Sequence, residues 1–160
     1  MGGGYHGGFG KTHGAAAGDA VFQSDPGQFF DNVGKRTDKD RNGIFDVVAH
    51  GGSAIIQVTH GGKTIEISAR TAAKMLRSRN DYRRGQPIRL LSCNTGSSTA
   101  GFAQNLANKL NVVVEAPTKL VWAYPNGRII VAGRLASNPQ LPDLNDRGYF
   151  RKFYPGGKKK

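Results

Sequence analysis

Cys93 is the only cysteine in the chain, and it closes a short apolar run, Ile88-Arg89-Leu90-Leu91, that breaks into Ser92-Cys93-Asn94-Thr95-Gly96. An apolar run bounded by turn residues reads as a buried strand. The thiol is therefore expected at a strand's carboxyl tip, where open α/β sheets bind their ligands. About forty positions upstream a second run, Phe45-Asp46-Val47-Val48-Ala49, stops at His50 and continues into Gly51 and Gly52. Thiol and imidazole together suit nucleophilic chemistry. The thiolate attacks, while the base removes the thiol proton and later protonates the leaving group. Gly51 and Gly52 leave main-chain N–H groups open to a substrate oxygen, and Gly96 lets backbone approach closely. The N–H groups of Gly51 and Cys93 are the candidate oxyanion donors, and Asp46 or Asp40 the candidate acid that orients His50. Ser92, Asn94 and Trp122 are candidates for lining a substrate pocket.

The surrounding elements must bring these residues together. Residues 1–18 are rich in Gly and Ala and read as a linker; His6 and His13 lie in it without Cys or carboxylate at ligand spacing. Ser24 or Asp25, with Pro26, opens a short helix. Asp38 to Gly43 mimics the start of a calcium loop, but Ala49 stands where a bidentate Glu is required, so it reads as a polar turn. Gly61-Gly62 joins Ala54–Val58 to Thr64–Ile67 in a hairpin, with His60 as a turn residue. Ser68 caps a helix built on Ala69, Ala72, Ala73, Met75 and Leu76. Past the cysteine, Ser97, Ser98 and Thr99 offer caps for a helix running through Leu110, whose N-terminal dipole would favour a thiolate at Cys93. Val112–Val114 is a strand, and Pro125-Asn126-Gly127 turns a hairpin between Leu120–Tyr124 and Arg128–Val131. Residues 136–147, with two prolines, read as a loop, and Tyr149–Tyr154 as an edge strand. The order β, hairpin, α, β, α, β predicts an α/β fold with a mainly parallel sheet. Residues 19–157 form one domain and Lys158–Lys160 a basic tail.

The sequence VVAHGG, then AIIQVTHGGKTIEIS, ARTAAKMLRS, IRLLSCNTG, GFAQNLANKL and VVVEAP resembles the caspase-like cysteine peptidases over roughly residues 44 to 117. The resemblance implies a three-layer sandwich with helices on both faces of the central sheet, and a Cys93–His50 dyad. The stretches EAPTKLVWAYPNGRIIVAG and GYFRKFYPGGKKK resemble the ends of toxin modules of bacterial Rhs and related polymorphic toxins. That likeness implies the tip of a larger secreted toxin acting in a target cell's cytoplasm on a protein substrate, with a cognate immunity protein at home. No cofactor and no metal is expected.

The charge is +12, from 23 Lys and Arg against 11 acids. Such an imbalance favours acidic partners: nucleic acid, an anionic surface or an acidic inhibitor such as an immunity protein. No apolar run is long enough to span a membrane, and no signal-peptide pattern opens the chain. A lone Cys forms no internal disulfide. A second reading stays open, a basic nuclease toxin in which Arg77, Arg79, Arg83, Arg84 and Arg89 grip phosphate while His50 and His60 do acid–base work. Cys93 separates the two, since a nuclease does not need the thiol. Other acyl transfer at the Cys–His pair, such as deamidation, and a non-catalytic binding module complete the alternatives.

Overall fold

The strands that end at His50 and Cys93 lie side by side. In the computed structural model, which describes residues 19–21, 28–38 and 43–157, β2 (Phe45–Val48) pairs in parallel with β5 (Ile88–Leu91). Phe45 stands opposite Ile88 and Val48 opposite Leu91. Both strands are buried along their whole length, which is why neither shows a polar alternation. β1 (Asp19–Val21) pairs in parallel with β2, and β6 (Val114–Pro117) in parallel with β5. β10 (Phe150–Phe153) runs antiparallel on the far edge of β6. The fold is mixed α/β around this mainly parallel sheet, of order β1-β2-β5-β6-β10.

The two faces are covered differently. Helices α2 (Ala69–Arg77) and α3 (Phe102–Leu110) bury their apolar sides against Phe45, Val47, Ala49, Ile88 and Leu90. Full burial of side chains such as Phe45, Leu76, Phe102 and Leu106 stabilises by about 1.5–3 kcal/mol each. The opposite face carries Val48 and Leu91, which pack with Phe30 and Val33 of α1 (Gln28–Gly34) and with Ala123 and Ile129. Those last two belong to β7 (Leu120–Ala123) and β8 (Ile129–Leu135), which form an antiparallel three-stranded sheet with β9 (Asn138–Arg147). The hairpin of β3 (Ile56–His60) and β4 (Lys63–Ile67) turns on Gly61 and Gly62, whose φ of 58° and 80° is what a two-residue primed turn requires. Ser68 caps α2 by accepting from the N–H of Thr71 at 3.4 Å.

Two expectations are corrected. Residues 138–147 form a strand, not a loop. Pro139 and Pro142 are tolerated because β9 is the outer strand of its sheet, and its pairing with β8 is irregular. The helix after the cysteine begins at Phe102 with Gly101 as an N-cap that makes no side-chain bond; Ser97, Ser98 and Thr99 lie in turns before it. Main-chain carbonyls do the capping, since Phe102 N–H donates to Ser53 O at 2.7 Å and Ala103 N–H to Thr95 O at 3.3 Å. Asp40, His6, His13, Ser24, Asp25, Pro26 and the tail lysines lie outside the described residues. Among the described residues no helix is long and apolar enough to cross a membrane.

Candidate active site

Strand alternation puts Asp46, Val48 and His50 on one face of the sheet, and Arg89 and Leu91 on the same face of the neighbouring strand. His50 and Cys93 each follow, by two residues, the register pair Val48–Leu91. Both therefore leave the sheet at its carboxyl edge, on the face covered by α1 and β7. The His50 ring stacks on Phe29 with centroids 6.0 Å apart and meets Phe30 edge-on at 5.2 Å. Two aromatic rings from α1 thus fix the plane of the imidazole.

Cys93 is half-buried against the outer edge of β7. Its sulfur accepts from Val121 N–H at 3.3 Å and faces Val121 O at 3.9 Å. The same edge takes Asn94 N–H on Lys119 O and the Asn32 amide on Ala123 O, each at 2.9 Å. Burial pushes the thiol pKa up; the Val121 N–H, the Arg134 charge and the thiol's own amide oppose this only in part. This overturns the expectation of a helix-stabilised thiolate. The first N–H groups of α3 are spent on Ser53 and Thr95, and desolvation of the sulfur dominates.

The loop carrying Cys93 is tightly wound. Asn94 takes the left-handed conformation, with φ of 61°. Thr95 folds back on Ser92 O through its hydroxyl at 2.8 Å and its N–H at 3.4 Å, and Gly96 N–H bonds Pro117 O at 2.9 Å. A Cβ on Gly96 would meet Ala116 O at 2.5 Å, and one on Gly51 would meet Ser92 Oγ at 2.3 Å. Both glycines are thus required by close approach. Ser92 is fully buried, and its Oγ has no hydrogen-bond partner among the described residues.

The backbone around Gly51 has a further consequence. Phe45 N–H donates to Pro87 O at 2.8 Å and Ala49 N–H to Leu91 O at 3.4 Å. Gly51 N–H is next in this row of donors aimed at β5. By that point β5 has turned away, and the opposite edge of the chain is used by the bridge to Ile56, through Gly52 N–H to Ile55 O and Gln57 N–H to His50 O, each 2.9 Å. Among the described residues neither Gly51 N–H nor Cys93 N–H has a main-chain acceptor outside its own residue. Sequence alone did not show this gap, because it arises where a parallel ladder loses one partner.

Other candidate residues are employed elsewhere. Asp46 does not orient His50. It lies four residues earlier on β2, roughly 13 Å along the strand, and its carboxylate binds Arg36 Nη2 at 2.8 Å and Arg89 Nη2 at 2.9 Å. The arginine cluster also dissolves in part: Arg89 is buried between Asp46 and Asp38, and Arg79 pairs with Asp81 at 2.8 Å. The Trp122 indole N–H donates to Ala132 O at 3.0 Å, with the Arg134 guanidinium 5.9 Å from the ring centre, so this ring packs along β8. Ser92 is buried in the loop rather than exposed to a pocket, while Asn94 is half-buried at the turn. Asp38, expected in a polar turn, serves as a partner of Arg89 at 2.6 Å. Among the described residues no group of three or more His, Cys, Asp or Glu side chains is arranged to hold a metal ion.

The chain is a member of DUF8616, a domain of unknown function, whose model matches residues 19–131. No curated protein and no solved structure matches the chain.

Proposed function

We propose that the chain is a caspase-like cysteine endopeptidase in which Cys93 is the nucleophile and His50 its base. The observation that carries this reading is the register of β2 and β5, which sets His50 and Cys93 beyond the same pair of residues on adjacent parallel strands. An intervening β-hairpin, helices α2 and α3 on one face and α1 on the other support the caspase-like three-layer arrangement. The raised thiol pKa favours proton transfer during attack over a resting thiolate. His50 takes the Sγ proton as sulfur bonds to the substrate carbonyl carbon, and returns it to the amine as the C–N bond breaks. Water then hydrolyses the thioester. Gly51 and Cys93 N–H groups would receive the oxyanion; losing one such donor costs roughly 3 kcal/mol of transition-state stabilisation. The outer edge of β7 suits an extended peptide, once Lys119, Val121 and Ala123 exchange their contacts with Asn94, the thiol and Asn32 for contacts with the substrate backbone.

In this reading the domain is the toxin tip of a larger secreted bacterial protein. It cleaves a protein in the target cell's cytoplasm, and an acidic immunity protein holds it in check; the +12 charge supports that last step through steered association. Incubation with a target-cell lysate followed by mapping of new peptide termini tests it. Termini that appear with the wild type and vanish with Cys93→Ala are expected. RNA or DNA degradation that survives Cys93→Ala, with no new termini, would replace the protease with the nuclease reading.

A further inference from the structure

The opposite end of the sheet holds an open cleft of about 560 Å³. Its lining includes Arg77, Tyr82, Arg84, Lys109, Leu110 and Asn111. These residues flank the starts of β5 and β6, so the cleft is remote from Cys93 and His50, which lie past the strands' carboxyl ends. Three cations converge on it, and among the described residues no carboxylate lines it. Among the described residues Arg77, Arg84 and Lys109 make no salt bridge. The nearby carboxylate of Asp81 is held by Arg79 through two contacts of 2.8 and 3.0 Å.

Helix ends explain only part of this charge. Arg77 and Lys109 stand in the last turns of α2 and α3, where cations complement the helix dipoles, and Arg77 Nη1 donates to Lys109 O at 3.3 Å. Arg84 is in no helix. It precedes Gly85, whose φ of 86° turns the chain toward β5, and it also lines a second, adjoining cleft with Arg83. The wall is firm, because Tyr82 is buried with its hydroxyl donating to Gln86 O at 2.7 Å. A concave site lined by two guanidinium groups and an ammonium matches the several oxygens of clustered phosphates.

We propose that this cleft binds phosphate groups, carried either by a small polyphosphate or by a nucleic-acid strand, independently of the chemistry at Cys93. Calorimetric titration of the full chain with inorganic triphosphate, and in parallel with a short single-stranded RNA, tests it at low salt. Arg84→Glu and Lys109→Glu are each expected to weaken binding by about tenfold or more, the scale of a charged hydrogen bond. Lys63→Glu, the same charge change at the exposed tip of the β3–β4 hairpin, should leave it within about twofold if the site is specific. That pattern with triphosphate identifies a small ligand; that pattern with RNA alone assigns the phosphates to a strand. Circular dichroism of the variants checks that they are folded. Failure of both probes to saturate, or equal weakening by Lys63→Glu and Arg84→Glu, would overturn the proposal.

Discussion

The same two strands carry two polar pairs on the same face, and the pairs have opposite characters. Asp46 and Arg89 are register partners on β2 and β5, each nearly inaccessible, at 3% and 4% exposure. Arg36 and Asp38 complete their network, with contacts between 2.6 and 3.2 Å. Beyond the next residue pair on that face, Val48 and Leu91, come His50 and Cys93. These are half-buried, and the sulfur contacts main chain instead of a counter-charge. Charges that satisfy one another can stay buried but have little left for a substrate. In the proposed protease the thiol and the imidazole past the end of the ladder are the reacting groups. In that reading, position along the strand, inside the ladder or past its end, separates structural from reactive use.

The largest expected effect of the proposed function falls on the thiol–imidazole half alone. Cys93→Ala should lower peptide cleavage by on the order of 10⁴-fold or more, with the denaturation midpoint little changed because the lost contacts are half-buried. His50→Ala should fall in the same range, and the double variant should be no worse than either single one. Independent, multiplicative losses would mean that the two residues do not act together.

The structural half should fail in the opposite sense. Asp46→Asn leaves the shape but removes the charge that faces Arg36 and Arg89. Removing one partner of a buried network costs about 3–5 kcal/mol, readable by urea denaturation. Activity per folded molecule should persist. A stable Asp46→Asn protein with lost activity would restore Asp46 as a catalytic partner of His50.

Gly51→Ala couples the two halves and should have an intermediate effect. Its Cβ would meet Ser92 Oγ at 2.3 Å and Thr95 Cγ2 at 3.0 Å, forcing the loop to shift at a cost of about 1–3 kcal/mol. The shift also moves Gly51 N–H and Cys93 N–H, so turnover should fall while Cys93 stays alkylatable. An unchanged rate would remove Gly51 from the oxyanion site.

Much of this contrast was legible in the sequence, for definite reasons. Mainly apolar runs marked β2 and β5, each with a single charge, and the turn residues after Leu91 and Ala49 marked where they stop. Gly-Gly and Pro-Asn-Gly located both hairpins. What stayed hidden depends on contacts distant in sequence. Asp46 looked available because its partners Arg36 and Arg89 come from different elements. Hydroxyls at 97–99 suggested a helix start that Ser53 O and Thr95 O in fact govern. Pro139 and Pro142 argued for a loop because nothing in the sequence shows that β9 is an outer strand. The edge of β7 over Cys93 requires the three-stranded sheet to be docked first.

The smallest effect separates the rim of the charged network from its centre. Burial alone would raise the Asp38 carboxyl, but the hydrogen bond and charge of Arg89, aided by Arg36, hold it below the ordinary value of 3.8. A depressed carboxyl contributes stability that is complete above its unfolded pKa and is lost as pH falls through the folded one. Wild type should therefore exceed Asp38→Asn by a constant margin from about pH 5 to pH 8. The margin should shrink below about pH 4 and vanish once Asp38 is protonated in both states. Because the Asp38 side chain is 37% exposed, the margin should be far smaller than that for Asp46→Asn and should diminish with added salt. A salt-insensitive margin as large as that of Asp46→Asn would mean that Asp38 belongs to the buried centre, and that the buried charge network extends further from β2 than the strand register implies.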